Sequence, residues 1–103
     1  MALSLDERLR SAVAALLHAT GESQADLAAA LGVSQAQVSR RQSGAAAWSV
    51  AGCDLVAAHY GIDVLDLLAG PTRATESLPD HRRRPVRSTS RARQATAQGG
   101  GNS

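Results

Sequence analysis

The chain has 103 residues, with 11 basic and 9 acidic side chains and a formal net charge of +2, and every basic residue is an arginine. One small domain is expected at this length, which excludes a large multidomain enzyme. Apolar residues make up 44% of the chain, but 21 of them are alanine and only two residues are aromatic. Because alanine favours helices and strand-favouring residues are scarce, the composition predicts an all-α fold with a small core.

Five helices are predicted in the first 70 residues, each with apolar residues at helical spacing and a closing glycine, and the last four also with a polar cap. Ser23 and Ser34 begin the second and third helices, because each is followed three positions later by a residue that completes a capping box. Ser49 caps the fourth helix, whose inward stripe begins at Val50, and Asp63 caps the fifth. The predicted helices cover about residues 6–19, 24–31, 35–42, 50–60 and 64–69.

Charge and hydrophobicity both change where Gly70 and Pro71 are predicted to stop the fifth helix. Residues 1–70 carry a net charge of −3 and 22 of the 24 apolar residues larger than alanine, whereas residues 71–103 carry +5 and the other two. So few apolar residues cannot offset the entropy lost when a segment becomes ordered. We therefore predict a helical domain over 1–70 and a disordered, Arg-rich tail over 71–103.

The predicted second and third helices are joined by a turn too short for them to lie antiparallel. Gly32 permits this turn, Leu27 points inward from the second helix, and Val33 and Val38 are placed to pack beneath the third. A pair of helices joined in this way is typical of the helix-turn-helix, in which the second helix enters the major groove of DNA.

Two stretches carry a resemblance to a known family. Residues 23–40 read Ser-Gln-Ala-Asp-Leu-Ala-Ala-Ala-Leu-Gly-Val-Ser-Gln-Ala-Gln-Val-Ser-Arg, and residues 55–68 read Leu-Val-Ala-Ala-His-Tyr-Gly-Ile-Asp-Val-Leu-Asp-Leu-Leu. Over roughly residues 3–70 the chain resembles the lambda-repressor-like (Cro/cI or XRE) helix-turn-helix family. The resemblance implies a compact five-helix domain that binds double-stranded DNA. Arg41 stands where the family has a large apolar residue, so either its methylene groups cover the core or Trp48 fills the space.

The resemblance also implies which side chains contact DNA. Gln24 would contact a phosphate at the start of the second helix, Gln35 would read adenine and Ala36 a thymine methyl group. Ser39 and Arg40 share that exposed face, and Arg40 is the candidate for guanine. The remaining candidates are expected to reach the DNA backbone. The full set is Gln24, Ser34, Gln35, Ala36, Gln37, Ser39, Arg40, Arg41 and Ser43.

The fifth helix has more apolar surface than a small core needs. In the family such a surface often forms a two-fold contact, so the resemblance implies a homodimer on a palindromic operator, with recognition helices about 34 Å apart. The alternative is that these side chains close the core of the monomer. The residues concerned are Val64, Leu65, Leu67 and Leu68.

Enzyme, metal, cofactor and membrane functions are not expected. Cys53 is the single cysteine, the three histidines have no metal-binding spacing, and no nucleophile is paired with a base. The N-terminus lacks the basic and apolar regions of a signal peptide, and no apolar run is long enough to cross a bilayer. The protein is expected to be cytoplasmic and associated with the nucleoid.

The predicted function is that of a sequence-specific transcription regulator, a dimeric repressor of a phage, plasmid or other mobile-element promoter. One alternative is an antitoxin that autoregulates its operon while its tail binds a protein toxin. Another is a protein-docking module that does not bind DNA. In the tail, residues 82–87 are expected either to follow phosphates or the minor groove, or to keep the protein soluble.

Overall fold

The computed structural model describes residues 3–85, which form six α-helices and one 3-10 turn, without a β-strand in that range. The all-α prediction is confirmed. All five predicted helices are present, and their ends agree to within about two residues. No helix within residues 3–85 has the length and hydropathy needed to cross a bilayer. The elements are α1 Leu5–Thr20, α2 Gln24–Leu31, α3 Gln35–Ser43, α4 Val50–Tyr60, α5 Val64–Leu68, α6 Pro71–Ser77 and the 3-10 turn Asp80–Arg82.

The residues predicted to cap the helices form the hydrogen bonds expected of N-caps. The hydroxyls of Ser23 and Ser34 each accept a backbone N–H three residues later, and the side chain at that later position accepts the N–H of the serine. The Ser49 hydroxyl accepts the N–H of Gly52 at 2.9 Å, and the Asp63 carboxylate accepts that of Leu65 at 2.8 Å. These bonds satisfy N–H groups that have no partner inside a helix.

The core forms where α1 packs against α3, α5 and α6, and where α2 packs against α3 and α4. A single cluster of buried apolar side chains connects these helices. The largest fully buried side chains are Tyr60, Leu16, Leu27, Leu67, Val13, Val38 and Val56. At the start of α4, Val50 is 84% exposed, so the prediction that it faces inward is wrong; the buried stripe begins at Gly52 and Cys53.

The prediction that a disordered tail begins at Pro71 is wrong for residues 71–85. Pro71 is the first residue of α6, a position where its missing N–H costs no hydrogen bond. Ala74 and Leu78 are buried at 0% and 3% exposure, and α6 packs against α1 and α5. The folded body therefore extends to residue 85, and the rest of the predicted tail, 86–103, lies outside the described residues.

Candidate nucleic-acid interface

Helix α3 buries one side chain in the core and leaves most of its surface accessible. Val38 is its only buried residue, and it is completely buried. Gln35, Ala36 and Arg40 are all exposed. The chain from residue 27 to residue 53 contains two arginines and no acidic side chain, so the charge on this surface is positive. Such a surface attracts an anionic partner.

The start of α3 is fixed by the turn over residues 32–34. Gly32 has a φ of 74°, in the left-handed region that favours glycine, and this lets the chain leave α2 sharply. The N–H of Val33 donates to the carbonyl of Ala28 at 3.0 Å. The Ser34 hydroxyl accepts the Gln37 N–H at 3.1 Å, and Gln37 Oε1 accepts the Ser34 N–H at 2.9 Å. The first turn of α3 is therefore held in place before any partner binds.

The end of α3 is fixed by a set of contacts around Trp48. Its indole N–H donates to Gln42 Oε1 at 3.0 Å, and Gln42 Nε2 donates to the carbonyl of Arg10 in α1 at 3.1 Å. The Arg41 guanidinium lies 5.4 Å from the centre of the indole ring, which is within cation–π range. Trp48 is buried beside the end of α3, as one of the two predicted alternatives has it, and the guanidinium of Arg41 lies over its ring.

The candidate side chains of α3 differ in whether they already form hydrogen bonds within the protein. Ser34 and Gln37 form the capping box, and Ser43 donates to the carbonyl of Arg40 at 3.1 Å. No other described residue forms a hydrogen bond or ion pair with the side chains of Gln35, Ser39 or Arg40. The free polar groups of α3 therefore lie on the face that was predicted to read bases.

Gln24 lies at the start of α2, beside a charged cluster that joins three parts of the chain. Glu22 Oε1 is 3.0 Å from His59 Nε2, and Glu22 Oε2 accepts from Arg82 Nη2 at 3.2 Å. Arg82 Nη2 also donates to the carbonyl of His59 at 3.1 Å. Burial acts to raise the pKa of Glu22, but the hydrogen bond and charge of His59 and the hydrogen bond of Arg82 outweigh it and lower that pKa below its usual range.

Tyr60 lies beneath this cluster. Its ring packs against the imidazole of His59, with the ring centres 4.7 Å apart and the planes inclined by 60°. The guanidinium carbon of Arg82 lies 5.5 Å from the centre of the phenol ring. The hydroxyl is buried without a hydrogen bond of good geometry to the described residues. Burial and the nearby Glu22 carboxylate raise the pKa of Tyr60. The phenol therefore stays neutral and packs against His59 and Arg82.

The arginine run of the predicted tail is mostly occupied by contacts within the molecule. Besides the Arg82 pair, Arg83 donates to the carbonyl of Thr75 at 2.6 Å and lies 3.6 Å from Asp80. Arg84 is exposed, and only its backbone N–H is bonded, to the carbonyl of Ala19 at 2.7 Å. Sequence reasoning missed these contacts because Glu22, His59 and Arg82 lie far apart along the chain.

The four apolar residues of α5 have different roles. Leu67 is completely buried and belongs to the monomer core, so the prediction that it contacts a second copy is wrong. Leu65 is 71% exposed, whereas Val64 and Leu68 are half-buried. These two line a groove of about 440 Å³, which has mainly apolar walls and two acidic residues at its edge. Its lining residues are Leu5, Asp6, Leu9, Ala47, Trp48, Val50, Cys53, Asp54, Val64 and Leu68.

No group of three or more His, Cys, Asp or Glu side chains in residues 3–85 is placed to hold a metal ion. Burial raises the pKa of the Cys53 thiol, so this cysteine is a poor nucleophile at neutral pH. Comparison of the chain with protein-family models, with curated proteins and with solved structures finds no match to any of them. The candidate function therefore rests on the geometry of α2 and α3 and on the chemistry of their side chains.

Proposed function

We propose that this protein is a transcription regulator that binds double-stranded DNA at specific sequences and places α3 in the major groove. The observation that carries the proposal is the exposed face of α3, which bears Gln35, Ser39 and Arg40 without partners among the described residues. This face is fixed at both ends, by the capping box and by the Trp48 contacts. Because the backbone of α3 is already ordered, reading base edges would cost mainly the rotamer entropy of these side chains.

Each side chain on this face has a chemistry that suits one part of DNA. The amide N–H of Gln35 can donate to adenine N7 while its oxygen accepts from adenine N6–H₂, and the guanidinium of Arg40 can donate to both O6 and N7 of guanine. Ala36 offers a methyl group to thymine. Gln24, Gln37 and Arg41 would contact phosphates, which position the protein without reading sequence.

The groove beside α5 supports a second part of the proposal, that two copies bind a palindromic operator. A two-fold interface uses the same surface from both copies, so one surface must carry both a projection and a recess. Leu65 projects from α5 at 71% exposure, and its neighbour Val64 lines the groove together with Leu68 and the exposed Val50 of α4. Repression would then follow from a dimer that covers a promoter. The antitoxin alternative has less support, because residues 71–85 are already folded onto the body.

The test is selection of bound sites from a random pool of DNA duplexes, followed by titration of the best site and a scrambled duplex. We expect Gln35→Ala and Arg40→Ala each to reduce discrimination between the two duplexes by about 1–3 kcal/mol. Arg73→Ala is the matched control, because Arg73 is exposed on α6 and pairs with Asp66 of α5. It removes one positive charge but should leave discrimination unchanged.

The double variant of Gln35 and Arg40 decides between DNA reading and a protein-docking role. Both residues are exposed and have no side-chain partner in the described region, so the helix content by circular dichroism should not change. If this variant kept full discrimination with its fold intact, α3 would not be the reading helix. If the unchanged chain selected no DNA sequence, the proposed function would be wrong.

A further inference from the structure

Residues 79–85, here called the strap, cross the molecule from the end of α4 to the turn between α1 and α2. Pro79 packs near Gly61, where a Cβ would lie 3.5 Å from Pro79 Cγ. Arg82 then binds Glu22 and the carbonyl of His59, and the N–H of Arg84 donates to the carbonyl of Ala19 at 2.7 Å. The strap therefore ends next to the residues that lead into α2.

The side chain of Arg84 packs against this turn. A Cβ at Gly21 would be 3.1 Å from Arg84 Cδ and 3.7 Å from Cγ, so the methylene groups of the arginine cover the glycine. Its guanidinium has no ion pair or hydrogen bond with another described residue, and the residue is exposed. Gly21 precedes Gln24 by three positions. One unpaired positive charge is thus anchored at the edge where the proposed phosphate contact of α2 lies.

Arg82 pairs with a negative charge at the same edge. Glu22 is two residues before Gln24, and an unpaired carboxylate at this place would repel a phosphate. Arg82 Nη2 is 3.2 Å from that carboxylate, both side chains are about four-fifths buried, and His59 bonds its other oxygen. Because partial burial reduces screening by solvent, this pairing offsets the negative charge of Glu22.

We infer that the strap is a second phosphate-binding element, in which Arg84 contacts the DNA backbone next to the phosphate held at Gln24, and Arg82 is a positioning residue that neutralises Glu22. The inference rests on the proposed function and extends the bound surface from α3 to the C-terminal side of the body. A guanidinium suits this role because it is always charged and can bind a phosphate through two hydrogen bonds. The contact would strengthen binding to all sequences alike.

The experiment measures the affinity of the full chain for the selected duplex and the scrambled duplex over a series of salt concentrations. Each phosphate contact contributes about 0.9 to the slope of log affinity against log salt. We expect Arg84→Gln to weaken binding to both duplexes by equal factors and to reduce the slope by about 1. Over a fourfold rise in salt, the variant should therefore lose about 3.5-fold less affinity than the unchanged chain.

Two controls separate this effect from a loss of structure or of charge in general. Arg84→Lys retains the charge and should retain the slope, whereas Arg73→Gln removes a charge from α6 and should also leave the slope unchanged. Chemical modification of the unchanged chain is a further measurement. DNA should protect Arg84 from an arginine-specific dicarbonyl reagent, while Arg73 should stay reactive.

The outcomes distinguish this inference from the proposed function. If the unchanged chain binds the selected duplex through α3, but Arg84→Gln keeps the slope and Arg84 stays reactive on DNA, the strap only stabilises the body and the inference is wrong. If Arg84→Gln weakens the selected duplex alone, Arg84 reads sequence and the inference is equally wrong. If the unchanged chain binds neither duplex, the proposed function and this inference both fail.

Discussion

At the scale of single residues, Gln42 determines how the end of α3 is held. An amide side chain can donate and accept at the same time, and Gln42 uses both abilities to join Trp48 to the backbone of α1. A carboxylate at this position would accept from the indole but could not donate to the carbonyl of Arg10. The residue thus links α1, α3 and the following loop in a way that helical periodicity does not reveal.

We expect Gln42→Ala to lower the free energy of unfolding by about 1–3 kcal/mol, because the indole N–H of the buried Trp48 loses its acceptor. Urea denaturation followed by circular dichroism measures this change. Gln35→Ala is the matched control, since Gln35 is an exposed glutamine of the same helix, and its effect should stay within about 0.5 kcal/mol. Equal effects of the two substitutions would show that the contacts of Gln42 add nothing to stability.

At the scale of elements, the sequence predicts a helix well when cap, periodicity and closing glycine agree. These signals located the first five helices, and the pattern around Val38 correctly predicted which face of α3 is exposed. Helix α6 was missed because Ala74 and Leu78 are its only contributions to the core and Pro71 resembled a stop. The Glu22 cluster was missed for another reason, since it joins residues 37 and 60 positions apart, and no local pattern encodes such contacts.

Helix α5 provides a direct test of which leucines belong to the core. Leu67→Ala should cost about 2–5 kcal/mol of stability, because Leu67 is completely buried. Leu65→Ala should leave the stability of the monomer within about 0.5 kcal/mol but weaken self-association by about tenfold or more, as expected for one leucine withdrawn from an interface. Denaturation and sedimentation measure the two effects separately. A chain that sediments as a monomer at high concentration, both free and on DNA, would contradict the dimer proposal.

At the scale of the whole molecule, the boundary of the folded body changes how charge is distributed. Residues 71–85 carry a net charge of +2 and residues 1–70 carry −3. Residues 1–85 are therefore close to neutral, with a net charge of −1. Under the proposed function, the attraction of this body to DNA would come from local surfaces, such as the acid-free stretch around α3 and the exposed Arg84. A deletion after Gly70 would remove part of the core along with the basic residues, so it cannot isolate the effect of charge.

The last prediction compares a chain that ends at Gly70 with one that ends at Pro85. Burial of Leu78 is worth about 1.5–3 kcal/mol, and the shorter chain also loses Ala74 and the Arg82 contacts with Glu22. We expect it to be less stable by at least about 3 kcal/mol, a large part of the 5–15 kcal/mol typical of small domains. Urea denaturation measures the difference, and Leu78→Ala in the longer chain should reproduce a fraction of it. Equal midpoints for the two chains would mean that α6 and the strap are not part of the cooperative core, and that the domain ends at residue 70 as its hydrophobicity alone suggests.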